Sequence, residues 1–479
     1  MEKPKERMGN MVSRREFLAG SGAFAIPFLA GCSGFGFKAN EKVNVAVVGI
    51  GARGWDDIRA LAKTRLANIV AFADTEIAGE WTAPARKAFP DVPYFDDFRK
   101  MFDSMSGQID AVLVATPDHS HFAACMAALQ LGKSIYTEKP MGNSFRDIQI
   151  MMDMAAANPK LVTQMGNQGH SLANYYQAKE LAARGYFDNT VKVVAHMNNP
   201  RRWHKWNGSV REMFAAGDSA PSYLNWDAWL AQRPYRPYNI NYIHGDWRCF
   251  YEYGNGALGD WGAHTFDTAH EFLDLGLPES VGMINCTGWT PVVFPMSSAI
   301  SFKFPARGPR MPACELQWWE GVGNLPPLPK GYRFDAKSET PFIGGVADAK
   351  KTKLNPGREM YRADGTVYQG MSHGAELFAC DGSKLPTVAD CHPEGASEVP
   401  HIANFLRAVR GEEKATSPFA VAGVLSQVMA IGCIAQRLQA RRLVFNRAKK
   451  RFTGADVNLA NALLDGPEPR REWLRYYKI

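Results

Sequence analysis

The stretch that most narrows what this chain can become is "VNVAVVGIGARG", Val43 to Gly54. The β-branched run Val43 to Val48 reads as a buried parallel strand. It passes directly into Gly49-x-Gly51-x-x-Gly54. Glycines at that spacing allow a tight turn, close approach of the backbone to a pyrophosphate, and close packing of helix on strand. A helix starting near Ala52, with Arg53 in the turn, then offers free N–H groups and a positive dipole end to phosphate.

A glycine triplet alone is weak; its surroundings add weight. "NIVAFAD" reads as a second strand ending at Asp74, twenty residues past Gly54. An acid there accepts hydrogen bonds from the adenosine ribose and repels a 2′-phosphate, so NAD is favoured over NADP; Arg53 softens that preference. "IDAVLVATP" is a third strand, His119 to Leu131 a helix, "KSIYTEKP" a strand, and Ser144 to Ala157 a helix. Such alternation gives a parallel sheet covered on both faces, with ligands at the carboxyl ends of the strands. An α/β dinucleotide-binding domain is therefore expected over 41–165, with Thr116-Pro117-Asp118-His119 and Glu138-Lys139-Pro140 beside the ligand.

At Glu138-Lys139-Pro140, and again at "GALGDWGAHTFD" in the second half, the chain resembles the glucose-fructose oxidoreductase / inositol dehydrogenase (Gfo/Idh/MocA) family. Gly49-x-Gly51-x-x-Gly54, Asp74 and Thr116-Pro117 complete the match, in the family's order. The resemblance implies a Rossmann domain followed by a substrate domain, and a dimer or tetramer built through the second sheet. It also implies that Asp260, His264 and Lys139 surround the nicotinamide and a substrate hydroxyl.

After Leu161 to His170 the alternation breaks. "VKVVAHMNN", "SAISFKFPA" and "ACELQWWEG" read as strands of an open, mostly antiparallel sheet in an α+β domain over 166–440, serving substrate binding and oligomerisation. Asn324 to Ser372 reads as a long insertion. "HIANFLRAVRG" and "AGVLSQVMAIGCIAQRL" read as helices returning to the first domain, as does the segment 441–479.

In Gly254 to Gly276 the spacing favours a loop entering a helix at Gly259, with Asp260 and His264 one turn apart on a shared face. Taking a hydride from a secondary alcohol also requires taking its O–H proton. Histidine titrates in the range where it can accept that proton, and an acid can orient its ring. A lysine beside the oxygen stabilises negative charge as it develops. Lys139 and His264 are assigned as the acid/base pair, with Asp260 orienting or steering a second hydroxyl. The alternative for His264 is a satisfied core histidine.

Candidates for holding the cofactor are Gly49, Gly51, Ala52, Arg53, Gly54, Asp74, Thr116, Pro117, His119, His121, Glu138, Lys139 and Asn167. For His121 a capping role is the alternative. "NNPRRWHKWNG" has the composition of a sugar-binding loop or of a surface loop with one buried tryptophan. Substrate contacts are assigned to His170, Arg201, Trp203, Arg248, Asp260 and His264. Met151, Met152 and Met154 read as core.

The formal charge of +7 is concentrated in Lys3 to Arg15 and Gln439 to Phe452, with no nucleic-acid motif beside it, so a nucleic-acid partner is not expected. Eight cysteines without a Cys-x-x-Cys pair read as buried hydrophobes, and no metal site is expected.

Ahead of the first strand lies "SRREFLAGSGAFAIPFLAGC", Ser13 to Cys32. Arg14-Arg15 resembles a twin-arginine export signal, and Leu29 to Cys32 resembles a lipobox with Cys32 as the lipidated residue. Over 1–32 this predicts a signal, then a tether over 33–40, and a periplasmic or membrane-anchored product. A buried N-terminal helix is the alternative. No soluble NAD pool exists outside the cytoplasm, so an exported enzyme must hold its NAD tightly and recycle it in place. That fits oxidation and reduction of sugar-like molecules at a secondary hydroxyl. Other readings are an NAD-dependent glycosidase or epimerase acting through a transient keto-sugar, and a non-catalytic surface sugar-binding protein.

Overall fold

The computed structural model describes residues 41–199, 201–204, 210–334, 354–371, 376–387 and 398–479. The signal, the tether, Cys32, residues 205–208 of the tryptophan-rich loop and the middle of the Asn324 to Ser372 insertion lie outside the described residues.

Strand β1 (Val43–Val48) is buried along nearly its whole length and occupies the middle of a six-stranded sheet. In chain order there follow α1 (Arg53–Thr64), β2 (Ala67–Ala73), α2 (Ala83–Ala88), β3 (Tyr94–Phe95), α3 (Phe98–Met105), β4 (Ala111–Val114), α4 (His121–Gln130), β5 (Ser134–Thr137), α5 (Phe145–Ala157) and β6 (Thr163–Met165). The strands run parallel in the order β3-β2-β1-β4-β5-β6, the doubly wound Rossmann order. Local chemistry sets several helix starts. Asp97 caps α3 by accepting the Arg99 N–H, and the Ser144 side chain does the same for α5 from Asp147. Helix α4 begins at His121 rather than His119, because Asp118–Ser120 form a 3₁₀ turn after Pro117.

The second part opens with α6 (Ala173–Ala183), a helix the broken alternation concealed, then β7 (Thr190–Met197), α7 (Trp226–Leu230), α8 (Gly256–Thr265) and α9 (Asp267–Phe272). Helix α8 therefore starts three residues before the Gly259 expected from spacing. Strands β8 (Ser280–Thr287), β9 (Ser297–Phe304), β10 (Cys314–Glu320), β11 (Gly357–Arg362), β12 (Val367–Met371) and β13 (Phe378–Ala379) precede α10 (Glu398–Val409) and α11 (Phe419–Leu438). The chain closes with β14 (Leu443–Asn446), β15 (Arg451–Thr453) and α12 (Asn458–Asp465). The second sheet is ordered β13-β12-β11-β7-β10-β9-β8-β14-β15, and among the described residues only β7 and β10 pair in parallel.

Two helices from late in the chain close over the first domain. On α10, Val399, Ile402, Phe405 and Leu406 join Val43, Val45, Ile58 and Leu61 of β1 and α1 in one core. Helix α11 is apolar on nearly every side and long enough to cross a membrane by composition, yet it is mostly buried, against α5, α8, β8 and β9. Segment 441–479 divides. Leu443 pairs with Val281 across β14 and β8, so its first part extends the second sheet instead of returning to the first domain. Only afterwards does α12 meet α5, and the turn Arg471–Tyr477 lie on α4 with Trp473 fully buried.

Candidate active site

Two adjoining cavities, of about 350 and 580 Å³, share Ala52, Arg53, Thr116, Arg202, Trp247 and Arg248 and so form one cleft. It runs along the carboxyl ends of β1, β2, β4 and β5.

The glycine turn has little room for side chains. Gly49 has φ +86°, and a Cβ there would lie 2.7 Å from the Ala115 carbonyl. A Cβ on Gly54 would lie 2.0 Å from the Gly49 oxygen, so this glycine packs α1 on β1. Helix α1 has no side-chain cap at Ala52; the Gly51 and Ala52 carbonyls accept the N–H groups of Gly54, Trp55 and Asp56, and the positive end of the helix dipole faces the cleft. The Asp74 carboxylate accepts the N–H groups of Ile50 (2.8 Å) and Glu76 (2.9 Å), which tie it to the glycine turn. Burial raises its pKa, and those N–H groups pull it back. Gly49, Gly51, Ala52, Arg53, Asp74, Thr116 and Pro117 all line the first cavity. Thr116 Oγ1 is buried without a hydrogen-bond partner, an open position facing the cleft. These features fit a dinucleotide: a pyrophosphate against the turn, ribose hydroxyls on Asp74, and a polar contact for Thr116.

The second cavity holds the candidate chemistry. Lys139 donates from Nζ to Asp260 Oδ1 (3.0 Å) and to the Asp260 carbonyl (2.8 Å). Asp260 Oδ2 accepts the Nε–H groups of Arg201 and Arg202, both at 2.9 Å. Burial alone would raise the Asp260 pKa, but the charges of Lys139, Arg202, Arg248 and Arg201 outweigh it and hold the carboxyl well below its usual range. His264, one turn along α8, lines the same cavity with its ring 5.8 Å from that of Trp261. Asp260 thus orients Lys139 and the arginines. Glu138 accepts from Arg53 at 3.1 Å, and Arg53 also meets Asp57 at 2.9 Å.

Other candidates stand elsewhere. His119 is fully buried; its Nε2 meets the Trp229 carbonyl at 2.8 Å and its ring packs on Trp229 and Tyr253, with burial pushing its pKa down to about 3. It supports the wall and does not face the cofactor cavity. His121 borders the second cavity, but both ring nitrogens lie within 2.9 Å of the carbonyls of Pro140 and Thr116, tying the two strand ends together. Asn167 is also buried, donating to Asp267 and accepting from Ser417. Its neighbour Gln168 lines the cleft instead, with Oε1 lacking a partner. His170 sits behind the site, 2.7 Å from Asp267, and Trp203 lies beside His204 outside both cavities. Arg201 and Arg248 do line the second cavity. Sequence reading missed Arg202, Gln168 and Trp81, the last of which lines the first cavity. Arg202 was visible as the second basic residue of the Asn198 to Gly208 loop, whereas Trp81 has no motif around it.

Known proteins share this arrangement over part of the chain. A family model described as "Oxidoreductase family, NAD-binding Rossmann fold" matches residues 43–165, and its companion, "C-terminal alpha/beta domain", matches 173–282. Over those residues the chain matches the two domains of the Gfo/Idh/MocA family. Inositol 2-dehydrogenase 1 of Saccharopolyspora erythraea is 29% identical to this chain over 163 residues, 34% of this chain and 48% of that one. Inositol 2-dehydrogenase 3 of the same organism is 27% identical over 195 residues, 39% and 53% of the two chains. The chain spans about half the length of these curated relatives. Among solved structures, the WlbA dehydrogenase of Bordetella pertussis, in complex with NADH and UDP-GlcNAcA, shares the fold at TM-score 0.53 and 16% identity, over 85% of this chain and 99% of that one. Levoglucosan dehydrogenase, in complex with NADH, does so at TM-score 0.52 and 14% identity, over 84% and 98%.

Proposed function

We propose that this chain is a Gfo/Idh/MocA oxidoreductase that oxidises a secondary hydroxyl of a sugar, glycoside or polyol, and that its NAD is held through turnover and recycled in place. The observation that carries this reading is the Lys139–Asp260 pair, set in one cavity with His264 and continuous with the glycine-turn cavity. NAD, when bound, supplies the hydride acceptor. Lys139 spends two N–H bonds on Asp260 and keeps a third for a ligand oxygen. A hydroxyl placed between Lys139 and His264 gives its proton to the imidazole, while the ammonium stabilises the charge developing on oxygen. Trp261 in the same cavity, partly exposed, offers a flat surface on which a sugar ring can lie. The inositol and levoglucosan dehydrogenases among its relatives are consistent with such a substrate.

Export is part of the same proposal, supported by Arg14-Arg15 and the Leu29 to Cys32 sequence, as is pairing of subunits through the second sheet. The decisive experiment is the absorbance and fluorescence spectrum of protein purified without added cofactor, followed by extraction of any dinucleotide. Stoichiometric NAD(H) surviving dialysis, with its reduced band bleaching or recovering on addition of sugars, is expected. Protein that comes out empty and binds NAD weakly and reversibly would overturn the recycling cycle.

A further inference from the structure

The charges lining the catalytic cavity do not balance. Arg53 is matched by Glu138 and Asp57, and Asp56 by Arg59 of its own helix. What remains is Lys139, Arg201, Arg202 and Arg248 facing two carboxylates, Asp260 and Asp118. Asp260 is shared by Lys139, Arg201 and Arg202 at once. Asp118 is engaged by the Asn255 amide at 2.9 Å, and burial disfavours its charged form. Arg248 makes no ion pair among the described residues; its guanidinium lies 4.0 Å over the Trp247 ring. Burial, then the neighbouring charge of Arg202, lowers its pKa.

Among the described residues five cations, Arg53 included, face Asp57, Glu138, Asp118 and Asp260, so at least one positive charge is left over in a partly desolvated cleft, and a second where Asp118 is uncharged. Holding guanidinium groups there without a counter-charge costs free energy, and an incoming oxyanion recovers it through paired N–H contacts. The cofactor's pyrophosphate does not account for the whole surplus. Its place is the start of α1 beside Arg53; Arg202 and Arg248 border both cavities, whereas Arg201 lines only the catalytic one. A neutral polyol would leave the surplus unmatched.

We propose that the substrate is a sugar carrying an anionic group, a carboxylate or a phosphate, which is seated between Arg202 and Arg248. This rests on the oxidoreductase reading of the cleft and narrows its substrate class. Arg201, 43% exposed, stands where it can draw that charge in from solvent.

The test uses the full protein carrying its bound dinucleotide and reads the fluorescence of the cleft tryptophans. D-glucuronate, D-galacturonate and D-glucose 6-phosphate are titrated beside neutral D-glucose and D-galactose. At least one anionic sugar is expected to saturate at a concentration about tenfold or more below its neutral parent, and the advantage should shrink as salt rises. Response to the acids alone identifies a carboxylate, and to the phosphate alone a phosphoryl group. Arg248→Gln should remove most of the advantage and the exposed Arg201→Gln part of it, each compared with wild type at equal dinucleotide loading. Neutral sugars binding as well as their anionic counterparts, or no anionic sugar binding to dinucleotide-loaded protein, overturns the inference and leaves the oxidoreductase reading standing. A protein unable to hold dinucleotide at all removes both.

Discussion

Lys139 and Asp260 are 121 residues apart in the chain and meet at 3.0 Å, one at the end of a Rossmann strand and the other on the helix facing it across the cleft. The contact joins the cofactor-binding half to the substrate half at the point where chemistry is proposed. Asp260→Asn keeps the shape and removes the charge that holds Lys139 and two arginines. We expect turnover to fall by about 10²–10⁴, the range for loss of acid/base machinery, while dinucleotide content stays near wild type. Single-turnover reduction of bound NAD, with extracted cofactor measured in parallel, checks both halves.

Gly54→Ala tests the glycine turn. The added methyl group would meet the Gly49 oxygen at 2.0 Å, and that oxygen belongs to the backbone and cannot swing aside. Loss of bound dinucleotide and a lower thermal midpoint are expected together. Cofactor content at wild-type level in this variant would contradict the placement of the turn.

Asp74→Ser should relax cofactor choice. The carboxylate that faces the ribose position also repels a 2′-phosphate, so its loss is expected to weaken NAD binding and narrow the NAD-over-NADP preference by about 10-fold or more. Equilibrium titration of stripped protein with each dinucleotide gives the ratio.

Stability should have two histidine-dependent edges. Burial opposes charge on His170, yet Asp267 and Glu271 outweigh it and raise its pKa to about 9. Its contribution is full below the unfolded value of 6.5 and is lost as pH rises toward 9; the scale is on the order of 3 kcal/mol. Burial pushes His119 and His401 down to about 3, so they are neutral in the fold while the unfolded chain takes up protons below 6.5. Their effect is loss of stability as pH falls from 6.5 toward 3. Thermal melts across pH should therefore peak between these edges, and His170→Gln should flatten the alkaline side only.

What the sequence made legible is local. The β1–α1 turn, Asp74 at the end of β2, and Asp260 with His264 on one helix face follow from spacing within a few residues. His119, Asn167 and His170 look like site residues by type and position, but their orientation depends on distant partners. Trp229 lies 110 residues from His119, and Asp267 lies 100 residues from Asn167. In the turn Gln168–Ser171 a slip of one residue decides that Gln168, not Asn167, meets the cleft. The pairing of β14 with β8 was hidden for the same reason. Leu443 finds Val281 only after the intervening strands and α11 have set the sheet edge.

Helices α10 and α11 also bear on how such a protein can be taken apart or rebuilt. They are drawn from the last fifth of the chain, yet their apolar sides complete the core around β1, α1 and α5. Cutting after the sixth strand would lay those surfaces bare. A recombinant exchange of cofactor halves between relatives must therefore transplant two separate pieces of sequence, the opening strands and helices together with α10 and α11.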